Sequence, residues 1–270
     1  MPTAAPGYPR KQIKSGAVKL NGSAATADSF LSCNDAVTLK ESSALTALLR
    51  ETRPKLDILY EDDQVVIVNK PAGLAMHRTA ELESDLVEQA TAYMTWRGTP
   101  CKLYPVNRLD RGTSGTVILA KSSSTAGIYG RQVKETGLDK LYLALVEGVT
   151  PKSGVIDVVL DDKESETRYE TLLAGSDFTL LAVTPISGRM HQIRRHLESI
   201  DHPVVGDKRY GSYILPDYEG FALHSFRTAL TRPDNTPLTV CAPVPEGFLE
   251  LCRQRGIARE DLLAAVQKRA

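Results

Sequence analysis

Paired cysteines are missing from this chain. Its four cysteines, Cys33, Cys101, Cys241 and Cys252, include no CxxC, which argues against a structural zinc site, whose thiolate ligands come in close pairs. Four scattered thiols do not make a disulfide framework either, so reduced thiols in a reducing compartment are expected. Net charge is missing too: 33 Lys and Arg balance 33 Asp and Glu. That balance weakens any whole-surface attraction to nucleic acid, because the phosphate backbone rewards net basic character, and it leaves open only a local basic strip. No apolar run approaches the length needed to cross a bilayer, and the start, MPTAAPGYPRKQIKSG, holds no apolar h-region. Repeats, low-complexity tracts, a glycine-rich nucleotide loop and a metal-ligand cluster are likewise absent. A soluble, cytoplasmic, monomeric protein with no cofactor, no metal and no membrane partner is the expectation.

What is present is a globular composition. A hydrophobic fraction of 42% over 270 residues supports one large catalytic domain and a small appendage. Residues 1–10 read as a disordered tail and 11–40 as a hairpin-containing segment, in which AVKL and DAVTL are strand-like and Asn21-Gly22 is a turn. Residues 41–55 read as a polar linker. From Leu56 the pattern changes. LDILYEDDQVVIVNKPAGL gives two strands around an acidic turn, SDLVEQATAYMTWRG a helix with Ser84 at its N-cap, and TVILAKS a buried strand. STAGIYGRQVKETG reads as a second helix. DKLYLALVEG, GVIDVVL, TRYETLLA and FTLLAVTPI are successive strands with short turns, and MHQIRRHLESI is a third helix. ALHSFRTAL and TPLTVCAPV form a closing hairpin that ends the main domain near residue 245, and two helices fill 246–270. The fold class is therefore α+β: a mixed, mainly antiparallel central sheet flanked by helices, with a small N-terminal hairpin-containing segment.

The third helix carries an argument of its own. At about 100° per residue, Met190, Ile193, Leu197 and Ile200 share an apolar stripe. Arg194 lies at the margin of that stripe, while Arg195 points nearly the other way and needs no partner. An arginine at a buried margin either snorkels to water or gives its fork of donors to a carboxylate or phosphate. Asp110, in Arg108-Leu109-Asp110-Arg111, is the natural recipient. Beside a guanidinium a carboxylate stays ionised, as a nucleophile must, although a purely structural ion pair satisfies the same pattern. Gly112 and Gly115 would let a bulky substrate approach the backbone closely.

Four ordered motifs then carry a resemblance. NRLDRGTSGTVILAKS, DKLYLALVEG, SGRMHQIRRHLESIDHPVVGDKRYG and ALHSFRTAL together resemble the RluA-type family of RNA pseudouridine synthases, over about residues 56–245. The family's first pattern, H-R-L-D-x-x-T-S-G-x-x-x-x-A-K, is matched by Arg108, Leu109, Asp110, Thr113, Ser114, Gly115, Ala120 and Lys121, with Asn107 in place of His. Its third, G-R-T-H-Q-I-R-x-H-L, is matched by Gly188, Arg189, His191, Gln192, Ile193, Arg194, His196 and Leu197, with Met190 in place of Thr. Asp201 replaces a glycine in the following G-H-P-I-x-G-D-x-x-Y-G. VNKPAGLAMH resembles the family's early K-P-x-G loop.

The resemblance implies that Asp110 is the catalytic aspartate, Tyr142 the active-site tyrosine and Arg194 the arginine paired with the aspartate. It implies that Arg108 helps hold the target base out of the helix. Arg111, Arg189, His191, Gln192, Arg195, Lys208 and Arg209 fall in the same segments and are candidate RNA contacts. With Lys121, Arg131 and Lys134, the basic ones would make a positive cleft, the acids lying in YEDDQ, AELESD and DDKESE; the alternative is that these charges simply face water. GDKRYG is open between an RNA contact and a turn with its tyrosine packed inward. His191 and His196 are off the spacing of a helical metal pair, and Ser114 lacks a His–Asp partnership by motif.

IKSGAVKLNGSAATADSFLSCNDAVTL resembles the latter half of a small S-four-like RNA-binding domain, through Ile13, Gly16, Val18, Asn21, Gly22, Asp35 and Val37. Its helical first half is missing, so the domain reads as truncated. The implied function is a cofactor-independent isomerase acting on uridines of ribosomal or transfer RNA, ribosomal favoured. Two alternatives are a catalytically inactive RNA-binding protein on the same fold and an interaction protein without RNA contact.

Overall fold

The computed structural model describes residues 7–32, 34–43, 45, 54–78, 85–135, 137–213 and 215–270. It separates into two units, one through Lys55 and one from Leu56 to Ala270. In the first, helix α1 (Tyr8–Lys14) begins with Pro9 near its N-terminus, where a missing N–H costs nothing. It is followed by three short strands, β1 (Val18–Leu20), β2 (Ser23–Ala24) and β3 (Val37–Leu39), in the order β2-β1-β3. Asn21 and Gly22 both have positive φ, 49° and 84°, the backbone a two-residue hairpin turn requires.

Two expectations change here. The tail expected to stay disordered to residue 10 is helical from Tyr8, because Pro9 presets φ and Lys11 and Lys14 suit the helix C-terminus. The Asn-Gly turn joins β1 to Ser23–Ala24, and Val37–Leu39 pairs on the other side of β1. Most of the linker expected over 41–55, and Cys33, lie outside the described residues.

The second unit is built on a ten-stranded sheet. Its strands are β4 (Ile58–Glu61), β5 (Val65–Lys70), β6 (Tyr104–Pro105), β7 (Ser114–Ala120), β8 (Asp139–Glu147), β9 (Ser153–Ile156), β10 (Thr167–Ala174), β11 (Phe178–Pro185), β12 (Leu223–Thr231) and β13 (Pro237–Cys241). They run in the order β4-β5-β7-β12-β8-β11-β10-β9, with β13 on β12 and β6 on β7. Every pairing is antiparallel except β7 with β12. Helices α2 (Leu86–Trp96), α3 (Ser123–Glu135), α4 (Gln192–Glu198), α5 (Glu246–Arg253) and α6 (Arg259–Gln267) complete it. Alternate residues of β5 serve different cores: Val66 and Val68 join the larger apolar cluster, Val65 and Ile67 the smaller. A strand buried on both faces reads as an unbroken apolar run, which is what VVIV is.

The parallel seam positions the site. Gly115 has φ 113°, and a Cβ there would lie 2.2 Å from the Ser225 carbonyl oxygen, so only glycine lets β7 and β12 meet this closely. Beside it, Thr116 Oγ1 shares hydrogen bonds with Ser225 Oγ at 2.9 Å and Thr228 Oγ1 at 2.6 Å, satisfying buried hydroxyls. Asp110 sits just before β7, and Tyr142 on β8 is register-paired with Ser225 of β12. The seam thus draws residues 110 and 142 together across one intervening strand.

Smaller differences have local causes. Asp85, not Ser84, caps α2: its carboxylate accepts from the Glu88 N–H at 2.8 Å, while Ser84 lies outside the described residues. Only the first half of GVIDVVL is a strand, since Asp161 and Asp162 turn the chain at positive φ and leave Val158 and Val159 exposed. Cys101, Cys241 and Cys252 are free thiols. Among the described residues, no helix is long and apolar enough to cross a membrane and no His, Cys, Asp and Glu cluster could hold a metal ion.

Candidate active site

The loop between β6 and β7 carries Asp110, and three braces hold it. Asn107 accepts from the Ile118 N–H at 2.8 Å and donates to the Thr116 carbonyl at 3.2 Å, pinning the loop's start to β7. Gly73 N–H donates to the Arg111 carbonyl at 2.8 Å. The third brace is Lys70, fully buried at the end of β5. Its Nζ donates to the carbonyls of Pro71 at 2.9 Å, Leu74 at 2.8 Å and Arg111 at 3.1 Å. Burial pulls the Lys70 ammonium down to about 7, with the Asp110 charge opposing that pull. The peptide that follows Asp110 is therefore gripped by an ammonium and an amide from the KPAG loop.

The glycines expected to admit substrate admit the protein instead. A Cβ on Gly112 would lie 2.5 Å from the Phe221 ring, and one on Gly220 would lie 2.4 Å from the Gly112 oxygen. Gly115, as described, makes room for β12.

Arg194 is the hub. It is 6% exposed on α4, and its Nε and Nη2 fork onto Asp207 at 2.5 and 2.9 Å. Its remaining arm, Nη1, donates to Asp110 Oδ2 at 2.7 Å. The guanidinium carbon lies 4.2 Å from the Phe221 ring centre and 4.9 Å from that of Tyr210, so aromatic faces contact what carboxylates do not. Burial works to lower the guanidinium's pKa, but the hydrogen bonds to Asp207 and Asp110 outweigh it and hold the group above its ordinary value. The sequence left snorkelling and pairing open for Arg194; the structure decides for pairing.

His191 is the second neighbour of Asp110. Its Nε2 lies 3.7 Å from Asp110 Oδ1, and its Nδ1 is 2.9 Å from the Tyr210 hydroxyl. Burial lowers the imidazole's pKa; Asp110 opposes that and the Arg194 charge adds to it. Tyr142 is nearly buried on β8. Burial pushes its phenol up to about 12, a Ser225 hydrogen bond opposing and the Asp110 charge adding. Tyr142, Asp110, Arg194 and Leu223 line a pocket of 320 Å³, which adjoins a cleft of 1130 Å³ through the shared wall of Arg108, Asp110, Arg189, His191 and Arg194.

The remaining expected contacts divide. Arg108 and Arg189 line both spaces, and Arg111, Lys208 and Arg209 line the larger. Gln192 is corrected: 4% exposed, it accepts from Ser187 Oγ and Arg189 N–H at 2.7 and 2.9 Å and donates to the Glu166 carbonyl and Thr167 Oγ1 at 2.8 and 3.0 Å. An amide so fully used holds the Arg189 loop and has nothing left for RNA. Arg195 pairs with Asp161 at 3.0 Å and lines neither space. Lys121 leaves the basic strip for Glu61, at 2.7 Å. Met190 leaves the apolar stripe: it precedes α4 and is 61% exposed on the cleft wall. GDKRYG is a turn whose tyrosine packs inward, against Arg194 and His191.

Sequence reasoning missed the jobs of Lys70, Asp207 and Phe221. Lys70 had a signal, a lone charge closing a strand of unbroken apolar residues. Asp207 and Phe221 had none in periodicity, because both lie in loops.

Residues 64–199 match the family model described as RNA pseudouridylate synthase. The uncharacterized RNA pseudouridine synthase YlyB of Bacillus subtilis is 33% identical over 261 residues, covering 88% of this chain and 86% of that protein. Ribosomal large subunit pseudouridine synthase C of Escherichia coli K12 is 32% identical over 287 residues, covering 92% and 89%. The tRNA pseudouridine synthase C of Haemophilus ducreyi is 36% identical over 184 residues, covering 58% and 74%. Among solved structures, human RNA pseudouridylate synthase domain containing 4 superposes with a TM-score of 0.64 at 22% identity, covering 79% of this chain and 96% of that one, which is likeness of fold. Fold, braced aspartate and relatives converge: the chain belongs to the RNA pseudouridylate synthase family and is an RNA pseudouridine synthase, an isomerase.

Proposed function

We propose that Asp110 is the catalytic carboxylate, that Arg194 fixes its angle, and that Tyr142 supplies the face and the phenol against which the target uracil lies. The observation that carries this reading is the 2.7 Å contact from Arg194 to Asp110, made by a guanidinium already anchored on buried Asp207. A carboxylate so held cannot rotate away from the reacting ribose.

The reaction breaks the bond between N1 and C1′ of uridine, turns the base, and joins C5 to C1′. C5 loses a proton and N1 gains one, so no redox partner is needed. A stacked uridine must leave its helix to reach the pocket, at a cost of a few kcal/mol in unstacking. Arg108, which lines both spaces, would fill the gap the base leaves. Arg111, Arg189, Lys208 and Arg209 would meet phosphates along the larger cleft. Tyr142, with its phenol at about 12, enters the reaction as a neutral hydroxyl.

For the target we favour ribosomal RNA. The likeness to the E. coli ribosomal synthase spans 92% of this chain, against 58% for the H. ducreyi transfer-RNA synthase. We further propose that the N-terminal unit serves as a truncated S-four-like RNA contact on a protein acting as a cytoplasmic monomer. The test is tritium release from carbon-five-labelled uridine in RNA, with native protein and Asp110→Asn. Release that the substitution abolishes supports the reading. RNA binding without release from the native protein would instead favour an inactive binding protein. Mapping pseudouridines in total RNA with and without the protein identifies the site.

A further inference from the structure

Asp110 has two oxygens and two different neighbours. Oδ2 receives Arg194 Nη1 at 2.7 Å, whereas Oδ1 faces His191 Nε2 at 3.7 Å. The His191 backbone is left-handed, with φ 54° and ψ 27°. A residue other than glycine is held in that region only where its surroundings over-determine it, and histidine is among the types that tolerate it best. His191 stands at the N-cap of α4 yet makes no side-chain cap. Its ring turns instead to Tyr210, edge-on at 75° with centroids 5.7 Å apart, and its Nδ1 lies 2.9 Å from the phenol oxygen. The charged groups around the ring are Asp110 and Asp207 on one side of the balance and Arg194 and Arg209 on the other.

We propose that His191 is a positioning residue for Asp110, with Tyr210 donating its phenol hydrogen to Nδ1 and so leaving the imidazole proton on Nε2, aimed at Asp110 Oδ1. The inference rests on the assignment of Asp110 as the catalytic carboxylate. A neutral imidazole has one N–H. Were it on Nδ1, the lone pair of Nε2 would face a carboxylate, which is repulsive; on Nε2, it meets that carboxylate favourably. The hydroxyl of Tyr210 rotates freely and supplies the missing donor. At 3.7 Å the contact is longer than a hydrogen bond, as catalytic contacts often are before substrate closes the site.

The arrangement gives Asp110 one permanent cation and one neutral donor. A second cation in place of the neutral ring would stabilise the carboxylate further and blunt its reactivity. The sequence placed His191 among the RNA contacts; the geometry points to a role through Asp110.

The first measurement is the histidine tautomer, read by two-bond proton–nitrogen correlation on the ¹⁵N-labelled, RNA-free full chain near neutral pH. His191→Gln identifies the signal by its loss. A protonated Nε2 with Nδ1 as acceptor is expected, becoming a mixture in Tyr210→Phe; a protonated Nδ1, or an imidazolium, would overturn the proposal. The second is single-turnover tritium release from carbon-five-labelled total RNA of cells lacking the protein, over a range of protein concentrations.

His191→Ala should slow the maximal rate about tenfold, the order a positioned polar contact contributes, with the half-saturating concentration almost unchanged. His191→Gln, whose side-chain amide reaches where Nε2 was, should recover most of that loss. A raised half-saturating concentration at an unchanged maximal rate would return His191 to the RNA contacts and sink the idea, as would a glutamine no better than alanine. Absence of release from the native protein would instead refute the role of Asp110, while the tautomer result stands by itself.

Discussion

One guanidinium shared by two carboxylates predicts that removing one acid costs far more stability than removing the other. Asp207 is 1% exposed at its side chain and Arg194 7%, whereas Asp110 is 28% exposed. Replacing Asp207 with Asn keeps the shape but leaves Arg194 a buried cation facing an amide. Breaking a buried pair from one side costs about 3–5 kcal/mol. The same change at Asp110 leaves water to compensate, and costs about 1 kcal/mol or less. For a unit of this size each kcal/mol moves the melting temperature by about 2–4 °C. Asp207→Asn should therefore melt roughly 6–20 °C below the native protein, by the same scaling, and Asp110→Asn within a few degrees of it.

Calorimetry or circular dichroism on the full chain measures this, with tritium release in parallel. Asp110→Asn should be folded and inactive. Asp207→Asn should be unstable and also slow, because its freed guanidinium no longer holds one angle to Asp110. The double change Arg194→Met with Asp207→Asn should recover part of the lost stability, since it removes the stranded charge as well as its partner. If Asp207→Asn melted within about 2 °C of native, or if Asp110→Asn proved the less stable of the two, Asp207 would not be the anchor and the reasoning would fail.

Lys70 gives a pH dependence of definite sign. Burial favours its uncharged amine, so between about 7 and 10.5 the native protein has shed a proton that the unfolded chain still binds, and stability rises with pH across that window. Chemical denaturation from pH 7 to 10 should show a slope of up to about 1.4 kcal/mol per pH unit that Lys70→Met lacks; parallel slopes would show that the buried group does not titrate there. Lys70→Met should also lose activity at constant pH, because the Arg111 carbonyl is released and Asp110 with it. Gly115→Ala should fail to reach a native melt, or lose at least about 3 kcal/mol, as overpacking against an immovable backbone does; a native-like melt would mean that β7 and β12 part easily.

Much of this was visible in the sequence wherever a period carried it. VVIV, TVILA and LYLALV read as strands because burial on both faces makes them unbroken apolar runs, and α2 read as a helix from its start and stop residues. The pairing of Arg194 with Asp110 was legible only as one of two outcomes, because a cation at the margin of a buried stripe either reaches water or takes an anion. What failed to show was everything fixed by contact between distant loops. Gly112 gave no sign that its missing side chain belongs to Phe221, 109 residues later, nor Gln192 that its amide closes on Glu166 and Arg189. Glycine and glutamine satisfy such demands without any periodic signature.

Neutral net charge was the most misleading of these signals, and the site shows why. Charge balance in this chain is settled locally. Lys121 and Arg97 answer Glu61, Arg195 answers Asp161, and Arg194 is divided between Asp207 and Asp110. Cations bound in this way contribute little to long-range attraction. Those that line the cleft and lie exposed on it, among them Arg108, Arg111, Lys208 and Arg209, are the ones we propose a phosphate would feel. A count of 33 against 33 therefore says nothing about attraction for RNA; what matters is which arginines have already met their acids. The same sorting separates the two arginines of α4, adjacent in sequence: one is spent on the acid of a surface turn, the other sets the angle of Asp110.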